Sequence, residues 1–324
     1  MIDSLLAWLR LLRLPNHATA VADVLAGFLI VSHTRSAFPQ AGNAIDWPEP
    51  ALWWAILASL GFYGAGMVLN DVFDVEIDRA ERPERPLPSG RIRVQSAAAA
   101  GNILLTIGSA AACATAFAAR NPWPAFVGAL LTAAVWIYNR YAKATSLGPV
   151  VMGSCRSLNW LLGMTAAGGP TAAYEWLLPI GMGVYVMGIT LYSRDEAEES
   201  RVGMLAGAAF IMLAGLATAG LYPWVAARAG NDGAWFGLAG AGAAKLSSWL
   251  LLWSVLAASI LLRTVVGIFE PTSGRVQQAV GNAIMSIITL DAVLVLATCG
   301  EPWAIVVLVL LAPFLLGRRL VSPT

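Results

Sequence analysis

Between residues 70 and 78 the chain reads Asn70-Asp71-Val72-Phe73-Asp74-Val75-Glu76-Ile77-Asp78, with four carboxylates and an amide in nine positions. Asp71, Asp74 and Asp78 fall at i, i+3 and i+7, which places them on one face of a helix. Three acids on one face repel one another unless a cation sits among them. Oxygen donors at this density suit Mg²⁺, which keeps several waters and is completed by substrate phosphates. Arg79, Arg82, Arg85, Arg91 and Arg93 follow at once. Acids for a metal beside arginines for phosphate oxygens point to a diphosphate site. Asp71, Asp74 and Asp78 are therefore the expected ligands of one Mg²⁺, with Asn70 a ligand or orienting amide. Glu76 points off that face.

A second acidic stretch runs Arg194-Asp195-Glu196-Ala197-Glu198-Glu199-Ser200-Arg201. Asp195 and Glu199, four apart, share a helix face and form the expected second metal site, in which Glu196 and Glu198 are alternatives for the last ligand. Two ions bridged by one diphosphate would neutralise charge on a leaving oxygen.

The elements that must carry these residues are membrane spans. The chain has 324 residues, 58% hydrophobic and 12% charged, where soluble domains carry about a quarter charged residues. Several apolar runs reach the roughly 20 residues a spanning helix needs. Ten spans are expected, near 17–33, 52–70, 96–118, 123–138, 147–167, 174–192, 203–222, 245–265, 279–298 and 302–317. With the N-terminus in the cytoplasm, fifteen Arg and Lys fall on the inner side, and only Arg35, Arg120 and Arg228 on the outer. That asymmetry predicts cytoplasmic termini and a cytoplasmic face for both acid stretches. No cleavable signal peptide is evident. Leu5 to Leu14, with Arg10 and Arg13, reads as an amphipathic surface helix ending at Pro15. Cys113, Cys155 and Cys299 lack metal or disulfide spacing and are expected to pack as small hydrophobes.

A weak repeat links the halves. Arg13-Leu14-Pro15-Asn16 opens the first span, and Arg156-Ser157-Leu158-Asn159 lies in the fifth. Each is followed one span later by an acid stretch on the cytoplasmic side, so two similar halves would face one cavity. The expected fold is an all-α integral membrane protein of nine to ten transmembrane helices. Its two pseudo-repeated four-helix halves (1–143 and 144–266) surround a central cavity within a single membrane domain, and extra C-terminal helices occupy 267–324. Asn16, Asp23, Arg156, Asn159, Lys245 and Asp291 sit in or near spans, where ionisable groups face an interior or a partner. In the repeat arrangement Arg156 and Asn159 face the cavity. Asp23 is a candidate for contacting or deprotonating an acceptor, with a structural hydrogen bond as the alternative. Asp291 is expected to pair with another helix.

Asn70-Asp71-x-x-Asp74-x-x-x-Asp78, followed by Arg82-Pro83 and Arg85-Pro86-Leu87-Pro88-Ser89-Gly90, resembles the signature of the UbiA-type intramembrane prenyltransferases. The resemblance extends over nearly the whole chain: acid motifs after the second and sixth spans and a basic segment after the fourth. Two departures stand out. Glu199 replaces the last Asp of the second motif. The family's Tyr-x-x-x-Lys element is matched only by Tyr138 and Lys143, one residue too far apart. The resemblance implies that an isoprenoid diphosphate ionises with Mg²⁺ as cofactor, and that the allylic cation alkylates a small acceptor within the membrane lipids. Asp71, Asp74 and Asp195 would be catalytic, and Arg82, Lys143 and Arg201 would contact diphosphate oxygens. Substrate contacts would also come from Asn70, Arg156, Asn159, Asn16 and Asp23.

The residues themselves agree. There is no Ser-His-Asp, Cys-His or zinc pattern, and His17 and His33 lie at the two ends of the first span. Nothing suggests a nucleic-acid partner. The competing readings are a secondary transporter or channel whose surface acids pass a cation, and a membrane lipid- or terpene-forming relative. A membrane alcohol-phosphate transferase would continue after Asp74 with Asp-Gly-x-x-Ala-Arg, which is missing.

Overall fold

The computed structural model describes residues 2–36, 49–194, 202–229 and 243–320. All regular structure among them is helical: α1 (Ile2–Leu11), α2 (His17–Ser36), α3 (Pro50–Phe73), α4 (Val75–Glu81), α5 (Val94–Ala118), α6 (Trp123–Ile137), α7 (Gly148–Ala166), α8 (Leu177–Tyr192), α9 (Val202–Arg228), α10 (Ala243–Phe269), α11 (Ser273–Cys299), α12 (Glu301–Leu308) and α13 (Leu311–Leu320).

Seven stretches are long and apolar enough to cross a membrane, corresponding to α2, α3, α5, α8, α9, α10 and α11. Phe117, Phe210 and Phe269 project from three of them and are 88%, 70% and 82% exposed, the surface lipid tails would cover. The expected fourth and fifth spans are also present. They are the 15-residue α6 and the 19-residue α7, whose Arg156 and Asn159 lower its hydropathy. The expected tenth span is broken: α12 and α13 are separate helices of 8 and 10 residues. Pro313, near the start of α13, has no N–H to continue a helix from α12. The chain is thus a multi-pass membrane protein built as an all-helical bundle.

Within the bundle α3 packs along α5 and α8 along α9, and α7 lies between α2 and α8. The crossing of α2 and α7 is the closest that matters here. A Cβ on Gly163 would strike the Val24 carbonyl, and one on Gly27 would come within 2.7 Å of the Trp160 carbonyl. Small residues at both positions let the two backbones touch. Gly163→Leu is expected to push α2 and α7 apart at a cost of about 3 kcal/mol, as overpacking does. Thermal melting of the purified variant in detergent checks this, and an unchanged midpoint would show that the crossing is loose.

The C-terminal helix α11 runs against α2 and α10. Its backbone accepts hydrogen bonds from two buried aromatic side chains: Tyr185 donates to Ala283 O at 2.9 Å and Trp249 Nε1 to Val293 O at 2.9 Å. Trp249 and Trp253 stack at 5.5 Å between ring centroids. They pack within the bundle, as their four-residue spacing suggests. α1 buries Ala7 and Leu11 against Val68, Val75, Leu87 and Ile92. That cluster pins the segment after the acid motif to the end of α3.

Candidate active site

A cavity of about 290 Å³ opens between the two halves. Ser59 and Asn70, both on α3, line it, so it runs roughly 16 Å along that helix at 1.5 Å per residue. Arg13, Asn70, Tyr138, Asn139 and Ser193 line it toward the helix ends that carry the acid motif. Phe62, Leu131, Val135, Val186, Ile189, Ile284 and Ile287 make apolar walls, and Asn16, Thr19, Ser59, Arg156 and Asn159 a polar one. Asn16 and Asn159 lie where the repeat puts them, and so do Arg13 and Arg156.

The first acid motif is split by a helix break. α3 stops at Phe73; Asp74 caps it with φ −94° and ψ 2°, its N–H bonded to Asn70 O, and α4 starts at Val75. Asp71 and Asp78 are buried, and Asp74 is half-buried. Pro83, Pro86 and Pro88 prevent α4 from continuing. The chain turns instead, with Arg85 N bonded to Arg82 O. This turn returns Arg85 to Asp78, where Nη1 lies 2.9 and 2.8 Å from the two carboxylate oxygens. The same nitrogen is 4.0 Å from Asp71.

Among the described residues no group of three acids, histidines or cysteines stands ready to hold an ion. Asp78, expected as the third ligand, is engaged by Arg85. Asp71 and Asp74 follow the cavity-lining Asn70, an oxygen-donor pair of the kind Mg²⁺ uses when phosphates complete its shell. Arg85 is an arginine brought to both Asp78 and Asp71. Arg82, expected at the diphosphate, is the C-cap of α4 and half-buried.

Each of these two acids, Asp71 and Asp74, holds a cation. Arg13 Nη2 is 3.3 Å from Asp71 Oδ1, and Lys143 Nζ is 2.5 Å from Asp74 Oδ1. Lys143 also donates to Asn70 O at 3.3 Å. Arg13 itself sits in the left-handed region, φ 46° and ψ 46°. For a residue with a Cβ that costs about 1–2 kcal/mol, a cost that clusters at ligand clamps and switches. Sequence reading placed Arg13 only among the membrane-anchoring positive charges. The signal that could have found it was its match to Arg156 in the Arg-x-x-Asn repeat.

The Tyr138–Lys143 spacing is resolved by a single π turn. Tyr138–Ala142 is π-helical, and Lys143 N bonds Tyr138 O, an i to i+5 link. Such a bulge takes up one extra residue inside a helix and often marks functional sites. Tyr138 thereby lines the cavity while Lys143 reaches Asp74. Arg140, within the bulge, stacks over Phe73 at 5.6 Å from the ring centroid.

Deeper, Arg156 Nε pairs with Asp23 Oδ2 at 2.7 Å, and Nη2 donates to Thr19 O at 3.0 Å. Asn159 Nδ2 donates to Asp23 Oδ2 and to Ala20 O, both at 2.8 Å, and Ser59 Oγ donates to Asn159 Oδ1 at 2.7 Å. Asp23 is fully buried behind this polar wall and does not line the cavity. Its described contacts, with Arg156 and Asn159, are those of the structural alternative. Asp195, Glu199 and Arg201, with Glu196 and Glu198, lie outside the described residues. The second metal site and its diphosphate contact thus have no described geometry.

The profile of the UbiA prenyltransferase family matches residues 28–275. Digeranylgeranylglyceryl phosphate synthase of Methanocaldococcus jannaschii is 36% identical over 107 residues, 33% of this chain and 34% of that protein. The match thus spans about a third of that relative's length. The Ignicoccus hospitalis protein of the same name is 28% identical over 226 residues, 66% of this chain and 68% of that one. Two solved structures share the fold. One, described as giving structural and mechanistic insights into the biosynthesis of digeranylgeranylglyceryl phosphate synthase in membranes, has a TM-score of 0.62 at 19% identity and covers 92% of this chain and 100% of its own. A UbiA homologue from Archaeoglobus fulgidus, bound to GPP and Mg²⁺, has a TM-score of 0.52 at 14% identity, with coverages of 98% and 100%.

Proposed function

The chain belongs to the UbiA prenyltransferase family, and on that footing we propose that it transfers a prenyl group from an isoprenoid diphosphate to a small hydroxyl-bearing acceptor. A glyceryl phosphate lipid is the acceptor class we favour, because the relatives share the name digeranylgeranylglyceryl phosphate synthase. The cofactor is Mg²⁺. The observation that carries the reading is the arrangement at the cavity end. Asn70 and Arg13 line that end of an apolar chamber, and Asp71 and Asp74 stand beside them, paired with Arg13 and Lys143.

Asp71 and Asp74 would hold the ion, which supplies charge neutralisation on the diphosphate when bound. Asp78 serves a different role in this reading: it aims Arg85 at the same place. Arg13 and Lys143 pair with these acids, and with a metal held by the acids both cations would be free to contact diphosphate oxygens. The bond from the prenyl C1 to the diphosphate oxygen breaks, the diphosphate leaves with that electron pair, and C1 forms a new bond to the acceptor hydroxyl oxygen, whose proton passes to the departing diphosphate. Fixed charges aimed at a leaving group act strongly in a site that excludes water. The walls of Phe62, Leu131, Val135 and Ile189 provide that exclusion. Asn16, Thr19, Ser59, Arg156 and Asn159 supply hydrogen-bonding groups for a polar acceptor head. Asp195, Glu199 and Arg201 would complete the mouth from the second half. The charge asymmetry of the loops supports a cytoplasmic mouth and cytoplasmic termini.

The test is direct. Purified protein is given geranylgeranyl diphosphate, Mg²⁺ and a prenylated glyceryl phosphate, and diphosphate release and lipid products are followed. Prenylated product is expected, and it should vanish when a chelator removes the metal. A folded protein that binds no isoprenoid diphosphate under these conditions would remove the enzyme reading. Diphosphate released without that lipid product would reject only the acceptor.

A further inference from the structure

The polar wall of the cavity is backed by a second carboxylate that the reaction above does not use. Asp291 lies on α11 and is fully buried; neither of its oxygens has a hydrogen-bond partner. Its carboxyl lies beside that of Asp23, and the Trp160 indole borders the same spot. Asp23 Oδ1 and Trp160 Nε1 are also without partners, and both residues are fully buried. Four polar atoms from three helices thus converge, unpaired, on one place in the bundle. Buried polar groups left in this state call for an unseen hydrogen, water or ion.

Charge counting narrows the choice. The ionisable neighbours of the two acids among the described residues are Arg156 and, beside Asp23, Tyr63 of α3. Among the described residues Arg156 supplies the one positive charge, and its Nε is already on Asp23 Oδ2. A second bare carboxylate, with no cation or N–H on it, is far too costly in a low-dielectric interior, and such a group neutralises instead. Asp291 is the acid farther from the guanidinium contact.

We propose that Asp291 is a neutral carboxylic acid whose O–H is donated to Asp23 Oδ1, and that it acts as a positioning residue for Arg156. Asp23, held by Asp291 on one oxygen and by Asn159 on the other, keeps the guanidinium fixed on the cavity wall beside Thr19. The functional part rests on Arg156 contacting the acceptor, as proposed above; the protonation part does not. Most of α11 lies beyond residue 275, where the family match ends. The clamp thus comes from a part of the chain outside the matched region.

Two measurements decide it. Infrared spectra of the protein in lipid nanodiscs are expected to show a protonated-carboxyl carbonyl stretch that D291N removes. In steady-state assays D291N should stay within about threefold of wild type, because its amide N–H replaces the O–H. D291L should raise the acceptor KM about tenfold with the donor KM unchanged, the size expected when a buried acceptor loses its donor. The proposal is overturned if no such band is lost in D291N, or if D291N is as damaging as D291L. Activity that depends on Na⁺ would equally overturn it, in favour of a bound cation. If D291L does not fold, the band and D291N still decide. If the protein transfers no prenyl group at all, the enzyme reading fails while the infrared result still judges the buried acid.

Discussion

Asp71→Asn is expected to lower prenyl transfer by about a thousandfold while leaving the protein folded. The change removes one negative charge from the pair that would hold Mg²⁺ and nearly preserves side-chain shape. A metal contributes several kcal/mol to stabilising a leaving oxygen. Losing about 4 kcal/mol of that is roughly three powers of ten in rate. Asp71 is the sharper choice over Asp74 because it lies on the intact last turn of α3, buried and 3.3 Å from Arg13. Asp78→Asn is the informative comparison. Asp78 is taken up by Arg85 through both oxygens, so its loss should act through Arg85 and cost closer to tenfold. Single-turnover diphosphate release across a Mg²⁺ titration separates the two. If Asp78→Asn shifts the Mg²⁺ dependence as strongly as Asp71→Asn, all three acids ligate the ion, and the division of roles drawn from the Arg85 contact is wrong.

The second large effect is on stability. Arg156→Met should cost about 3–5 kcal/mol, the usual penalty when one member of a buried ion pair is removed and its partner stays charged. In a protein of this size that corresponds to a fall of ~10 °C in melting midpoint. Among the described residues Asp23 pairs with no other cation, and only neutral hydrogen-bond donors such as Asn159 then remain on it. The double variant Arg156→Met with Asp23→Asn should recover much of the loss, because no uncompensated charge remains. A double-mutant cycle in detergent reads the coupling directly. Strict additivity of the two single changes would show that Arg156 and Asp23 do not depend on each other, and would take away the clamp's foundation.

Much of this site was legible in the chain. The carboxylates at 71, 74 and 78 announce themselves because ionised groups at the end of a long apolar run are expensive. The Arg-x-x-Asn repeat points to Arg156 and Asn159 as cavity residues, and both line it. What could not be read were effects of local backbone geometry. Nothing in the letters around Asp74 says that α3 stops there, or that Arg85 folds back onto Asp78. Arg82 and Arg85 look equivalent as text; the prolines at 83, 86 and 88 decide which one folds back. Asp23 and Asp291 are 268 positions apart, and only the packing of α11 on α2 brings them together. The span layout was legible for the same reason as the acids, since apolar length is a one-dimensional property. The exception is 302–317, where Pro313 interrupts a run whose composition alone looks continuous.

The extra residue between Tyr138 and Lys143 bears on how relatives of this protein are found. Because one wide turn absorbs the added letter, the aromatic ring and the ammonium keep their three-dimensional appointments although their linear distance has changed. Text patterns written with rigid gaps will pass over such chains. Searches that score where side chains end up, or that permit a single-letter slip at that point, should recover members that spacing rules discard.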